Sequence, residues 1–460
     1  MKIQYVSITS TTTAEKMDCY ALTPELLAST GARYSRNNEG LDAIVSKIDF
    51  SNTDKSVDTI FKMVDYGHAS IADMAPIALF IDDISLFAAY FLWTLAPTAG
   101  GQECSTRYIK LDAGSVVDDD TLGIPENLKL DYWKHVEKSF QSYEKALEYW
   151  TELGNSKPEL TKIPSSLLNS NSDKDKKQVA RMMRNYAFDR ARVYLPVSAM
   201  TGVMMVQSAR AWANMSAHLQ SHPLRELNLI GKEIEEKLKI GAPRLVKHCR
   251  ANDAIKDYYI YENNFEKNYC KMKNKFLPAS NQCDTSLKVH SNKKLDLEAL
   301  SFRTNRYSPF GHTISQVSTT FSWEGITFGE IRDLNRHRTG SKYCSLVPLG
   351  FYGATDQIPS EDSDINNKIN SLHNNFINTS SVARDLMIDN SEYIYFTNLG
   401  HKYYFEHTTT ADKFLYEMEL RTGVGAHYKY AEHCHKALEL WYQKFPQTKG
   451  LIFEGSAEPE

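Results

Sequence analysis

The chain has 460 residues, 42% of them hydrophobic and 24% charged, with a formal net charge of −4. That balance suits a soluble globular protein with length enough for two domains, each burying a core. It gives no support for a general nucleic-acid or membrane surface, so any strongly basic site must be local.

The seven cysteines are scattered and include no C-x-x-C pair. They read as reduced thiols in a cytoplasmic protein, not as a disulfide framework or a zinc site. Met1–Ser10 has no basic-then-apolar targeting pattern.

In chain order, the first informative stretch is "YGHASIADMAPIALFIDD" from Tyr66. The apolar run from Ala75 to Trp93 is broken by Asp82-Asp83, which predicts a buried strand followed by a helix, not a membrane span. "GGQECSTRYIKL" (Gly100 to Leu111) follows. Trp133, Val136, Phe140, Tyr143, Leu147 and Trp150 then recur at helical spacing and predict one core-facing stripe. Ser165 to Lys177 is polar and predicts a surface loop. Ala191 to His222 again has helical apolar spacing. Asn263 to Lys294 is rich in Lys and Asn and reads as an inter-domain connection, within a boundary zone from about Asn252 to Lys294.

The second half repeats the layout. "FGHTISQVSTTFSWEG" begins at Phe310, and Thr319, Phe321 and Trp323 alternate with Thr320 and Ser322 as in a strand. "NRHRTGS" (Asn335 to Ser341) places two arginines and a histidine side by side, and Tyr393 to His427 echoes Ala191 to His222. A repeat at half the chain length predicts two similar domains, 1–258 and 259–460. The expected fold is α/β of the α+β kind: each domain is an antiparallel sheet with packed helices, and the pair forms an internal pseudo-dimer.

"RHRTGS" resembles the start of the signature of flavin-dependent thymidylate synthases, R-H-R-x-x-S, which continues to a second Ser and then x-Arg. The resemblance covers most of the chain as two tandem family-like domains, and the two copies are degenerate in complementary ways. Copy two carries Arg336, His337, Arg338 and Ser341, then reads Leu346 and Pro348 where the family has Ser and Arg. Copy one has Leu95, Ala96, Pro97 and Gly100 at the start, then matches at Glu103, Ser105 and Arg107. Arg192 matches the family's partner-side nucleotide Arg, where copy two has Ile394. Arg421 matches its catalytic-side Arg, where copy one has none.

The resemblance therefore implies one composite site. Glu103, Ser105, Thr106, Arg107 and Arg192 come from copy one; Arg336, His337, Arg338 and Arg421 come from copy two. Substrate binding falls to Glu103, Ser105, Thr106, Arg107, Arg192, Arg336 and Arg421, with Arg421 and Ser105 as the catalytic pair. Cofactor binding falls to Ser70, Arg210, Asn214, Arg336, His337, Arg338 and Ser341. Ser70 and Asp73 fit the family's flavin Thr and Glu, whereas Ile314 and Val317 of copy two do not. Arg210 and Asn214 fit the later flavin positions, where copy two has Asp412 and Tyr416. Asp333 stands where the family usually has Gln.

The implied reaction is reductive methylation of dUMP to dTMP. FAD is the cofactor, with NADPH and methylenetetrahydrofolate as co-substrates. No metal, nucleic-acid or membrane partner is implied, and two chains are expected as a homodimer. The physical case runs in parallel: guanidinium binds phosphate bidentately and stays charged when partly buried. A C5-methylase of UMP or another pyrimidine nucleotide, and a non-catalytic flavin- or nucleotide-binding paralogue, remain open alternatives. Gly67-His68 and Gly311-His312 read as turn devices. His433 and His435 flank Cys434 and point apart on a helix.

Overall fold

The computed structural model describes residues 1–6, 21–36, 40–65, 69–106, 111–272, 281–291, 295–361 and 363–459. The chain divides into two compact units: Met1–Pro125 with Ser198–Asn264, and Glu126–Val197 with Phe265–Glu460. The units are thus not simply the two halves of the sequence, because residues 126–197 pack with the C-terminal part.

The first unit is built on an antiparallel sheet in the order β1 (Lys2–Val6), β2 (Pro76–Ser85), β4 (Met200–Ser208), β3 (Gly100–Glu103). The predicted strand-then-helix is present. Its break at Asp82-Asp83 is a bulge: the register slips between Ile81 and Ile84, and Asp83 takes φ 57°. The strand ends at Ser85, whose Oγ accepts from the Ala88 N–H at 2.9 Å and starts helix α1 (Leu86–Leu95). Ser85 in turn donates from its backbone N–H and its hydroxyl to the buried Glu226 carboxylate, at 2.8 and 2.7 Å. Leu86, Phe87, Ala88, Ala89 and Leu92 are all buried, as a helix apolar on every side requires. Helices α2 (Ala209–Ser221) and α3 (Arg225–Gly241) pack together, and Trp212 Nε1 donates to Ile77 O at 3.0 Å, tying α2 to β2.

The second unit repeats this strand order with β5 (Asp284–His290), β6 (Ser318–Thr327), β9 (His401–Thr410) and β7 (Ser341–Cys344), while β8 (Gly350–Phe351) extends the pairing of β9. β6 also carries a bulge, at Gly325 with φ 107°. It passes into helix α4 (Phe328–Asn335) through a capping box, in which Thr327 Oγ1 accepts from the Glu330 N–H and Glu330 accepts from the Thr327 N–H at 3.0 Å. β9 leads into helix α5 (Ala411–Thr422) and then α6 (Tyr428–Lys444). Phe321 meets Trp323 and Phe414 with ring centroids 5.3 and 5.0 Å apart, and Trp323 stacks on Phe405 at 6.3 Å. This aromatic core holds β6, β9 and α5 together.

Three local expectations are corrected. In the helix Lys129–Ser156, Trp133 is 40% exposed, and its neighbour Tyr132 takes the buried position at that turn. Residues 165–177 are largely helical, with a turn at Ser165–Leu168 and the helix Asp173–Ala191 beginning inside the stretch. Asp173 and Asp175 in the first turn favour the helix N-terminus, a charge effect that polar composition alone conceals. Residues 263–294 are not only a connection: a helix runs to Met272, and β5 is the edge strand of the second sheet. Richness in Lys and Asn reads as linker, yet β5 carries Asp284 and Lys288, charges of the kind an edge strand uses to stay soluble.

Candidate active site

The Arg-His-Arg segment begins where α4 ends. Arg336 keeps helical angles at the C-cap, and the chain then turns through Gly340 (φ 66°) into β7. A Cβ on Gly340 would lie 2.0 Å from the Thr408 carbonyl oxygen, so the turn requires glycine for both dihedral and space. Ser341 pairs with Thr408 and Lys342 with His407 across β7 and β9. The ammonium of Lys342 donates to His337 O and, at 3.4 Å, to Thr339 O. His407 Nε2 also donates to Thr339 O, at 2.7 Å. The loop is thus held from below by two strand residues.

Arg421 on α5 reaches back to this segment. Its Nε donates to His337 Nε2 at 2.7 Å, and its Nη2 donates to Asp333 O at 2.5 Å. Guanidinium has donors only, so His337 accepts at Nε2 and is the neutral Nδ1–H tautomer. Burial pushes the His337 imidazole down to about 3, in agreement with that geometry.

Asp333 is the focus of the charge. Arg192 Nη2 is 3.4 Å from Asp333 Oδ2, and Arg192 also faces Asp189 at 3.9 Å. Burial would raise the Asp333 carboxyl, but Arg192, Arg421, Arg332 and Arg336 outweigh it and hold it at about 2. Four guanidiniums gathered around Asp333, with Asp189 and Glu417 offsetting part of their charge, make a basic cluster of the kind that binds an anionic ligand. Arg192 is buried, Arg421 and Arg336 are partly exposed, and Arg338 is exposed.

Of the expected site residues, Arg192, Arg336, His337, Arg338, Ser341 and Arg421 stand in the second unit, and Arg192 joins Arg421 through Asp333. Ser341 is exposed on β7. Glu103, Ser105 and Thr106 belong to the first unit: Glu103 ends β3, Ser105 is exposed and Thr106 is buried. Arg107 lies outside the described residues, as do Gly67 and His68. The flavin-side expectations in the first unit group together. Arg210 Nη1 meets Asp73 Oδ2 at 2.9 Å, and Asn214 lies one turn after Arg210 on α2. Ser70 and Asp73 open and close the short helix Ser70–Asp73. One exposed guanidinium with a hydroxyl, a carboxylate and an amide fits a ligand bearing pyrophosphate and hydroxyls.

Sequence reasoning missed Lys342, His407 and Glu417. Only the Glu417-x-x-x-Arg421 spacing, an i,i+4 pair on α5, could have pointed to one of them.

Residues 19–244 match the family model described as thymidylate synthase complementing protein. Over that stretch the chain is similar to the thymidylate synthase complementing protein family. The matched region is just under half of the chain and contains Ser70, Glu103, Ser105, Arg107, Arg192, Arg210 and Asn214. No curated protein matches. Among solved structures, one similar chain is a UMP/dUMP methylase PolB from Streptomyces cacaoi bound with 5-Br dUMP. It has 16% identity and a TM-score of 0.33, with 54% of this chain and 93% of that chain covered. A likeness so loose carries no argument about the site. Among the described residues, no helix is long and apolar enough to cross a membrane.

Proposed function

We propose that the chain is a flavin-dependent thymidylate synthase that methylates C5 of dUMP at a composite site. The observation that carries this reading is the meeting of Arg192, from the first half of the sequence, with Asp333 and Arg421 from the second. Those two arginines are the ones that the family resemblance assigns to opposite sides of one nucleotide. The shared strand order of the two sheets, β1-β2-β4-β3 and β5-β6-β9-β7, supports a tandem duplication in which each copy kept a different part of the site.

The roles follow from the chemistry of the side chains. A nucleoside monophosphate carries close to two negative charges, and the family resemblance would assign its phosphate to Arg192, Arg107 and the Ser105 hydroxyl, the guanidiniums binding bidentately. Arg421, braced by His337 and the Asp333 carbonyl, would face the uracil ring and stabilise the negative charge that hydride addition at C6 places on it. Electrostatic stabilisation of this kind is worth about 3–4 kcal/mol per well-placed donor. Bound FAD, recharged by NADPH, would supply the reducing equivalents, and methylenetetrahydrofolate the carbon. Ser70, Arg210, Asn214, Arg336 and Arg338 would hold the flavin, and two chains would assemble as a homodimer.

A second substrate reading rests on Asp333. An ionised carboxylate accepts hydrogen bonds, and a ribose 2′-hydroxyl can donate one. UMP or a related pyrimidine nucleotide is therefore the competing substrate.

The test is an absorbance spectrum of the protein with FAD, followed by anaerobic reduction and addition of methylenetetrahydrofolate with dUMP or UMP. Reoxidation only with dUMP and the folate is the expected result. Reoxidation with UMP would transfer the assignment to the related methylase, and bound flavin that never turns over would leave a non-catalytic paralogue. Arg107→Ala and Arg336→Ala should each abolish turnover. Retention of about half the activity in either variant would refute the composite site.

A further inference from the structure

Helix α5 carries a buried carboxylate that the reaction above does not use. Glu417 is fully buried, and neither of its oxygens has a well-aligned hydrogen bond. A carboxylate in that state costs stability unless something nearby needs its charge. Two imidazoles face it: His407 Nδ1 is 3.0 Å and His337 Nδ1 is 4.0 Å from the same oxygen, Oε2. The 3.0 Å contact has hydrogen-bond length but poor alignment, and His407 Nδ1 has no better partner.

The protons can be placed by elimination. Thr339 O only accepts, so His407 Nε2 carries hydrogen. A proton lies between His407 Nδ1 and Glu417 Oε2, whichever atom holds it, because two lone pairs at 3.0 Å would repel. His337 accepts from Arg421 at Nε2, so its own hydrogen sits on Nδ1 and faces Glu417. Burial alone would raise the Glu417 carboxyl, but the imidazoles and Arg421 outweigh it and hold it at about 2.

We propose that Glu417 and His407 are positioning residues. They hold His337 in its Nδ1–H form with Nε2 free to accept, and so fix the Arg421 guanidinium where the nucleotide must meet it. The pair acts on the site from both sides. His407 fixes the Thr339 carbonyl just after Arg338, and Glu417 selects the tautomer of the histidine within the Arg-His-Arg segment. A backing carboxylate that orients an imidazole is a recurrent device in metal and catalytic sites. Its use in substrate binding rests on the nucleotide reading above, whereas the tautomer does not.

The experiment uses the full chain labelled with 15N-histidine, with His337→Gln to assign the signal. The wild type should show His337 as a neutral imidazole protonated at Nδ1. Glu417→Gln, which keeps shape and removes charge, should shift His337 to mixed tautomers and weaken dUMP binding roughly tenfold, the lower range for loss of such a supporting partner. Glu417→Asp should restore part of both. If Glu417→Gln does not fold, His407→Gln gives the same reading, because its amide still donates to Thr339 while the proton facing Glu417 changes. An Nε2–H tautomer in the wild type, or an unchanged His337 signal in both folded variants, would overturn the proposal. If the wild type binds no dUMP, the nucleotide reading fails, and the histidine spectra still decide the positioning.

Discussion

Two glutamates on helix α5 are buried completely and treated in opposite ways. Glu419 accepts both arms of Arg303, at 2.6 and 2.8 Å, and also the Phe453 N–H at 3.0 Å. Arg303 lies 3.6 Å from the Phe310 ring centroid, its Nε donates to the Ser308 carbonyl, and Nη2 donates to the Arg306 carbonyl as well as to Glu419. Every polar atom of this pair is satisfied, so removing one partner strands a buried charge. Glu419→Gln should cost about 3–5 kcal/mol, read as a fall in the urea midpoint at unchanged slope. Glu417, two residues earlier, has no such bonds to lose. Glu417→Gln should lower the midpoint by less than Glu419→Gln, since only the 3.0 Å contact with His407 is given up. Equal losses in the two variants would show that Glu417 serves the fold and not the Arg-His-Arg segment.

The turn between α4 and β7 is where backbone geometry decides the site. A Cβ on Gly340 would meet the Thr408 carbonyl at 2.0 Å, and the residue also needs φ 66°. Gly340→Ala should therefore displace the turn, separate Thr339 from His407, and cost more than about 2 kcal/mol together with loss of nucleotide binding. Gly450 is the control: it has φ 86° but nothing within 4 Å, so Gly450→Ala carries only the dihedral penalty of about 1–2 kcal/mol and should leave binding intact. Differential scanning calorimetry with a dUMP titration on both variants separates clash from strain. The strands were legible in advance, because the alternation around Phe321 marks β6 and the run from Ala75 to Trp93 marks a strand followed by a helix. The placement of residues 126–197 was not. The stripe of Val136, Phe140, Tyr143 and Trp150 announces a buried face and says nothing about which unit covers it. Arg192 stood out in the sequence only through the family likeness, Glu417 only through its i,i+4 spacing to Arg421, and Asp189 and His407 had no pattern of their own, since their meaning comes from neighbours distant in the chain.

At the scale of the whole chain, the histidines set the response to acid. His337, His401 and His433 are buried, and burial pushes each down to about 3. The partly exposed His135 and His222 move the same way, to about 4 and about 3. A histidine whose pKa is lower folded than unfolded contributes fully above the unfolded value, near 6.5. That contribution is lost as pH falls from there towards the folded value, because the unfolded chain takes up the proton first. Each such group contributes a slope of at most about 1.4 kcal/mol per pH unit. Glu330 opposes them: burial pushes it up to about 7, so it is protonated in the folded chain before the unfolded one and stabilises as pH falls from 7 towards 4.5. One opposing carboxyl does not cancel the buried histidines. Below about pH 4 the loss steepens, because Asp333, Glu417 and Glu432, all held near 2, lose their contribution as they protonate. The melting temperature should therefore fall steadily from pH 7 to pH 5 at constant ionic strength, and faster below pH 4. His433→Gln should flatten the first limb, because Glu330 then titrates against one histidine fewer. A melting temperature constant between pH 7 and pH 5 would mean that these imidazoles are as accessible to protons in the folded chain as in the unfolded one, and would remove the basis for a neutral, locked His337.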